Sequence, residues 1–130
     1  MSIQTEQCLF CNKKKQNIIY FTKFVYVVRD SFPVTKYHSL IIPHRHVSNF
    51  FDLNDDELKD LSETLKKERQ SLLNLDKEIT AFNVGVNAGK DAGQSIMHCH
   101  VHLIPRRKGD IENPRGGVRG VIPSKQKYVR

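Results

Sequence analysis

Three histidines alternate with apolar residues in segment 98–104, which has the sequence His-Cys-His-Val-His-Leu-Ile. In a β-strand, this period of two places the three imidazoles on one face and the apolar residues on the other. A helix would spread the histidines around its circumference, so the pattern predicts a half-buried strand. Neutral imidazole acts as a nucleophile, a proton carrier or a metal ligand, and such chemistry is therefore expected here. The residues predicted to face the core are Met97, Cys99, Val101 and Leu103.

The segment before the histidines predicts an antiparallel hairpin. Phe82, Val84 and Val86 alternate with small or polar residues, which is typical of a strand. The glycine-rich stretch 89–93 is typical of a turn, so the histidine strand should pair with residues 80–87. The adjoining Gly-Gln-Ser at 93–95 offers hydrogen-bond donors beside the imidazoles, as a phosphate-transfer site requires.

These motifs together resemble those of the histidine-triad (HIT) family of nucleotide hydrolases and transferases. The resemblance rests on Gly-Gln-Ser at 93–95, the alternating histidines and the two apolar residues that follow them. It extends upstream to Asp-Ser-Phe-Pro at 30–33, to His-Ser-Leu-Ile-Ile-Pro at 38–43 and to His46. It covers roughly residues 8–107 and includes the C-x-x-C zinc motif of bacterial-type members.

The remaining pattern indicates an α+β fold with an antiparallel sheet. Residues 18–28 predict a second hairpin that turns near Lys23, and residues 38–43 predict a short strand. Asn54 and Glu57 form a capping-box pattern that opens a long helix. The resemblance further implies that the sheet has five strands, that the helix is the one long helix, and that the protein forms a dimer. The leucines expected on the buried face of the helix are Leu58, Leu61, Leu65, Leu72 and Leu75.

Length and composition predict one cytoplasmic domain that spans residues 1–130. A chain of 130 residues is large enough for a single core. No apolar run reaches the length of a membrane span, and the N-terminus does not have the pattern of a signal peptide. Three cysteines in such a chain are typical of a reducing compartment. A membrane partner is therefore not expected.

The positive charge is concentrated at the C-terminal end. The net charge is +7, and residues 105–130 hold eight Lys or Arg against two acidic residues. We therefore treat residues 108–130 as a basic extension, which is either an ordered loop or a flexible tail. Tyr128 is its only aromatic residue, so the pattern favours attraction of a polyphosphate or dimer contacts over binding of nucleic acid.

The resemblance implies a mechanism and a nucleotide site. The middle histidine of the triad, His100, would attack the α-phosphorus and form a nucleotidyl-histidine intermediate, and His102 would contact the phosphate and the leaving group. Asp30 would bind the ribose hydroxyls, although a turn residue before Pro33 gives the same pattern, and Phe10 could equally be a core residue. The nucleotide-binding residues expected from the resemblance are Asp30, His38, Asn87, Gln94, Ser95, Phe10, Leu9 and Val28.

Cys8 and Cys11 form a second motif that carries chemistry. Two cysteines at this spacing can share a metal ion, form a redox pair or occur by chance. In zinc-bearing members of the family, the pair is completed by two histidines, which here correspond to His46 and His98. The resemblance therefore implies a structural zinc site of two cysteines and two histidines, with His44 as a rival to His46.

The expected function is hydrolysis of dinucleoside polyphosphates. Arg106 and Arg107 follow the triad strand and resemble the branches that act on these substrates, where extra cations hold a longer phosphate chain. Nucleoside phosphoramidates are the alternative substrates. Two other functions stay open, a nucleotide-binding interaction protein with incidental hydrolysis and a metal-binding module without catalysis, although the latter leaves Gln94, Ser95 and His102 without a role.

Overall fold

Five antiparallel strands form one sheet in the order β1-β2-β3-β5-β4. The computed structural model describes residues 7–129. A single long helix, α1, connects β3 to β4, and within the described residues no helix has the length and apolar character needed to cross a membrane. The bounds are β1 Ile18–Phe21, β2 Val25–Arg29, β3 Ser39–Pro43, α1 Asp55–Leu75, β4 Ile79–Val86 and β5 Val101–Arg107. Short 3₁₀ turns lie at Lys13–Lys15, Phe50–Asp52, Lys90–Ala92, Gly117–Val121 and Pro123–Lys125.

The predicted capping box opens α1. The Asn54 side chain accepts a hydrogen bond from the Glu57 backbone N–H at 2.8 Å, and the Glu57 carboxylate accepts one from the Asn54 backbone at 3.0 Å. Leu61 and Leu72 are buried against the sheet, as expected. Leu75 is 57% exposed, so that part of the prediction is wrong. It is the last residue of the helix, where the chain already turns toward β4.

The sheet has an apolar cluster on each face. Val25 and Val27 of β2 point toward α1, while Tyr26 and Val28 point to the opposite face, as the strand period requires. Cys99, Val101 and Leu103 belong to the cluster under the helix, which confirms three of the four predicted core positions. The histidines of the candidate site lie on the face opposite α1. That face carries Phe10, Tyr26, Val28, Leu40 and Ile42.

The segment that joins β4 to β5 is longer than the predicted turn. The two strands pair antiparallel as expected, with Gly85 opposite His102, but β5 begins only at Val101. Apart from the 3₁₀ turn at Lys90–Ala92, residues 87–100 are irregular. They bond to the segment before α1, for example through the Cys99 N–H, which donates to the Val47 carbonyl at 2.7 Å. Met97 lies in this segment and is 44% exposed, so its predicted core position is wrong.

Residues 111–129 form an ordered loop, which we call the C-terminal loop. Gly116 has a positive φ of 90°, and a Cβ there would overlap the Gln126 carbonyl oxygen. The Arg119 guanidinium donates to the carbonyls of Lys125 at 2.9 Å and Gln126 at 3.3 Å. The same guanidinium lies 4.9 Å from the centre of the Tyr128 ring. Of the two states that the sequence left open, the structure shows the ordered loop.

Candidate functional site

Three imidazoles lie side by side on the sheet face opposite α1. The ring centres of His100 and His102 are 5.4 Å apart, and those of His38 and His102 are 5.1 Å apart. His38 ends the loop before β3, His100 immediately precedes β5, and His102 lies within β5. The pairing of β3 with β5 places Leu40 opposite His102, which brings His38 to the same site.

A backbone bond fixes the tautomer of the neutral His100 ring. Its Nδ1 lies 2.8 Å from the His98 carbonyl oxygen. Because a carbonyl only accepts hydrogen bonds, Nδ1 carries the proton and donates. The lone pair of the neutral ring is therefore on Nε2, the nitrogen that a nucleophilic attack would use.

A second chain of bonds fixes the tautomers of His38 and His102. The Val34 N–H donates to His38 Nδ1 at 3.0 Å, so the proton of His38 is on Nε2. This Nε2–H donates to His102 Nδ1 at 2.9 Å, which leaves the proton of His102 on its own Nε2. Burial lowers the pKa of His38, and it lowers the pKa of His102 to about 4. Both rings are therefore neutral near pH 7.

The residues expected to hold a nucleoside differ in their burial and in their distance from these rings. The Asp30 Oδ2 is 3.5 Å from His38 Nε2, and its Oδ1 accepts a hydrogen bond from the Phe32 backbone. Phe10 is 4% exposed, and its ring centre is 5.1 Å from that of His100. Val28 is buried in the same cluster, whereas Leu9 is 47% exposed.

The residues expected to hold phosphate lie in the segment between β4 and β5. Asn87 is half-buried and Ser95 is exposed. Gln94 is buried, and its amide donates to the carbonyls of Ser48 at 2.8 Å and Ile96 at 3.1 Å. Since both amide hydrogens of Gln94 are engaged, this side chain holds the segment in place, and contact with a phosphate would require it to change partners.

Cys8, Cys11, His46 and His98 form a cluster that can hold a metal ion. Their four ligand atoms all lie within 4.8 Å of one another. His98 Nε2 donates to the Pro43 carbonyl at 2.8 Å, so its lone pair is on Nδ1, which faces the two thiols at 3.4 and 3.5 Å. Two sulfurs and two imidazole nitrogens in this arrangement fit a tetrahedral structural zinc site.

The geometry separates His46 from its rival. His46 Nδ1 lies 3.2 Å from Cys11 Sγ. His44 instead stacks on Tyr26, and its Nε2 donates to the Thr22 carbonyl at 2.9 Å, so it is outside the cluster. Burial raises the pKa of Cys11 to about 11, and the neighbouring Cys8 adds to this. A bound cation would reverse that effect, because thiols coordinate as thiolates.

The comparisons with known proteins agree with this geometry. The family model for the HIT domain matches residues 12–109. The chain belongs to the HIT family. A Zn-bound histidine triad protein from Mycobacterium smegmatis has the same fold, with a TM-score of 0.75 and 25% identity over 84% of this chain and 81% of that one.

Two relatives that are longer than this chain match most of its length. The asymmetrical bis(5'-nucleosyl)-tetraphosphatase of Schizosaccharomyces pombe is 38% identical over 94 residues, which are 72% of this chain. The nitrilase and fragile histidine triad fusion protein NitFhit of Caenorhabditis elegans is 39% identical over 100 residues, which are 77% of this chain. The chain spans only 51% and 22% of these two proteins, respectively.

The two arginines after the triad have different surroundings in this HIT domain. The Arg107 guanidinium donates to the Asp76 carboxylate at 2.9 Å and to the Lys36 carbonyl at 3.1 Å, so Arg107 ties β5 to the end of α1. Arg106 lines a groove that also contains His102 and Asn83. The predicted pair of phosphate-binding cations is therefore not present as a pair.

Two residues outside the predicted set extend the site beyond His102. Ile104 follows His102 by two positions on the same strand face, and Asn83 lies opposite Ile104 in β4. Both line the groove that contains Arg106. The strand period of two predicts that Ile104 lies on the same face as His102. The position of Asn83 depends on the register in which β4 pairs with β5, and local sequence patterns do not determine that register.

Proposed function

We propose that this protein is a nucleotide hydrolase that cleaves dinucleoside polyphosphates at the α-phosphate through a nucleotidyl-histidine intermediate. The observation that carries the proposal is the bond from His100 Nδ1 to the His98 carbonyl. It holds the ring in the tautomer whose Nε2 lone pair is free to attack phosphorus. The tetraphosphatase relative supports the substrate class.

The proposed reaction has two displacements at phosphorus. In the first, the lone pair of His100 Nε2 forms a P–N bond while the bond from the α-phosphorus to the bridging oxygen breaks. The departing polyphosphate leaves with the bonding electrons. The His102 Nε2–H donates a hydrogen bond to that oxygen as its negative charge grows. In the second displacement, a water oxygen forms a bond to the phosphorus and the P–N bond breaks, with its electron pair returning to His100 Nε2. The water's proton passes to solvent, and a nucleoside monophosphate is released.

The remaining residues would bind and orient the nucleotide. Asp30 would accept hydrogen bonds from ribose hydroxyls, and the position of its half-buried carboxylate beside His38 supports this role. Asn87 and Ser95 are the candidates to hold phosphate oxygens. A zinc ion held by the cluster of two cysteines and two histidines would act as a structural cross-link between the N-terminal segment and the segment that carries His100.

Nucleoside phosphoramidates are the second candidate substrates. The observation that favours them is the Nε2–H of His102, which can donate a hydrogen bond to a leaving nitrogen as well as to a leaving oxygen. Because this ring is neutral, the proton that an amine leaving group needs would come from solvent. The same intermediate would form on His100. The two candidates are distinguished by the ratio of their kcat/KM values on a single preparation.

We further propose that the protein is a cytoplasmic homodimer. Within the described residues, β4 pairs with β5 alone and β1 with β2 alone, so both edges of the sheet lack a strand partner, and the β4 edge is the longer of the two at 8 residues against 4. An unpaired edge strand is a natural position for a two-fold contact between identical sheets. The exposed side of α1 would extend this contact.

Replacement of His100 by alanine tests the proposed mechanism. His100→Ala should lower kcat/KM for a dinucleoside tetraphosphate by several powers of ten, because the variant cannot form the covalent intermediate. A substrate with radiolabel at the α-phosphate should leave label on the parent protein after an alkaline quench, and none on the variant. Circular dichroism would show that both proteins are folded.

His44→Gln is the matched control. His44 lies outside the triad and the metal cluster, and a glutamine amide can keep the bond to the Thr22 carbonyl. Its activity should stay within threefold of the parent. If His100→Ala retained activity within tenfold of the parent, the assignment of the nucleophile would be wrong.

A further inference from the structure

A groove of about 700 Å³ continues from the imidazoles toward the C-terminal loop. His38, His102 and Asn87 line it at the end next to the triad, and Arg106 lines it at the other end. The floor is the β4–β5 part of the sheet face opposite α1, and the C-terminal loop forms the far wall. Its volume falls within the range of about 300–1,000 Å³ that is typical of small-molecule sites.

The walls of this groove are mainly apolar. Ile104 lies on the floor, and Ile111, Val118 and Val121 project from the C-terminal loop. The three loop side chains are 47%, 61% and 79% exposed, respectively. Exposed apolar side chains that share one concave surface are typical of a surface that a ligand covers. The groove therefore favours a ligand with an apolar face.

The charge at the far end of the groove is already neutralised. Arg106 Nε and Nη2 each donate to the Asp110 carboxylate at 2.8 Å, which is a bidentate pair. Arg106 Nη1 donates to Asn83 Oδ1 at 2.7 Å. Since the Asp110 carboxylate balances the guanidinium, this end is not prepared for a bare phosphate group. The bond also orients Asn83, whose amide nitrogen lies beside Gly117 of the C-terminal loop and donates to no acceptor within residues 7–129.

We propose that this groove is a leaving-group subsite that binds the distal nucleoside of a dinucleoside polyphosphate. The proposal rests on the proposed function and specifies how that site distinguishes long substrates from short ones. The polyphosphate would run from the α-phosphate at His100 past His102 and Asn87. The distal base would lie against Ile104 and Val118, and the Asn83 amide would donate to it.

The C-terminal loop is suited to this role because its own contacts hold it in place. Gly116 and Gly120 let the chain pack directly against Gln126, and the Gln126 amide donates to the Arg115 carbonyl at 3.3 Å. A wall that is ordered before the ligand arrives reduces the entropic cost of binding. The loop therefore acts as a specificity element and takes no part in bond cleavage.

Binding measurements on the full chain in the His100→Ala background test this proposal, because that change prevents turnover. Isothermal titration would give Kd for a dinucleoside tetraphosphate and for the matching nucleoside monophosphate. Val118→Trp fills the groove from an exposed loop position. It should raise the ratio of the Kd for the dinucleoside tetraphosphate to the Kd for the monophosphate at least tenfold. Asn83→Asp keeps the oxygen that Arg106 binds, removes the amide donor and adds a negative charge beside the path of the polyphosphate, and it should raise the same ratio at least fivefold.

Val129→Trp is the matched control, since Val129 is 97% exposed and is not among the groove residues. Its Kd ratio should equal that of the background. If the Kd ratio of both Val118→Trp and Asn83→Asp stayed within twofold of the background ratio, the proposed subsite would be wrong. A background protein that binds the dinucleotide no more tightly than the monophosphate would overturn it as well. Turnover by the parent chain tests the proposed function separately, so the two failures are distinguishable.

Discussion

His102 should make the folded protein sensitive to acid. Burial is the main reason that its pKa falls from the ordinary value of 6.5 to about 4, and the neighbouring His100 and His38 lower it further. Asp30 opposes the shift. Between these two pH values, the histidine is protonated in the unfolded chain and neutral in the native one. The unfolded state therefore binds more protons, and stability falls as the pH is lowered.

The size of this effect follows from the shift. A difference of 2.5 pKa units between the folded and unfolded states corresponds to about 3 kcal/mol, at 1.36 kcal/mol for each unit. Most of this is lost between pH 6.5 and pH 4. For a native chain that is stabilised by about 5–15 kcal/mol, the loss is a large share of the total.

The assay is urea unfolding at pH 7 and at pH 4.5 for the parent and for His102→Gln. Glutamine keeps an amide oxygen that can accept the hydrogen bond from His38, but it does not titrate. The parent should lose about 2 kcal/mol more than the variant between the two pH values. Acid loss of any bound metal affects both proteins and cancels in the comparison. Equal losses would refute the argument.

Three further outcomes are expected. Elemental analysis of the purified protein should find about one zinc ion per chain. Cys11→Ser should lower both the zinc content and Tm. A metal-free parent protein whose Tm does not change on chelation would exclude the site. Light scattering at micromolar concentration should give the mass of a dimer, and a monomer would contradict the proposed edge contact. Gly116→Ala should open the C-terminal loop, because the added Cβ overlaps Gln126, and limited proteolysis should then cut the loop at least tenfold faster.

Local patterns predicted the regular elements well. The period of two assigned Val101 and Leu103 to one face of β5 and His102 to the other, and the structure has this arrangement. The capping box at Asn54 marked the start of α1 to the residue. These signals succeed because strand alternation and helix capping depend on residues only a few positions apart.

The segment between β4 and β5 could not be predicted in the same way. Its course is set by bonds to residues far away in the chain, such as that from the Gln94 amide to the Ser48 carbonyl. The alternating pattern continued upstream to His98, so the strand was expected to start too early. A hydrophobic period reports which face a residue would occupy in a strand, and it does not report where the strand begins.

The predicted roles of the basic residues depended on partners that the sequence does not reveal. Arg106 and Arg107 are adjacent, yet one faces the groove and the other binds Asp76, which is 31 positions away. The C-terminal extension was described from its charge, whereas Arg119 is held by backbone carbonyls and Tyr128. Net charge indicates attraction at long range, but it does not identify which cations are already engaged.

His98 couples the metal cluster to the reactive ring through one residue. Its side chain joins the cluster, while its backbone carbonyl accepts the Nδ1 proton of His100. In a chain that carries zinc, escape of the ion and reorientation of His100 are thus linked equilibria, and linkage is reciprocal. On the proposed function, a nucleotide that holds His100 in this orientation would raise the affinity for zinc by the same factor by which zinc raises the affinity for the nucleotide. Bound substrate would then favour retention of the ion when free zinc is scarce.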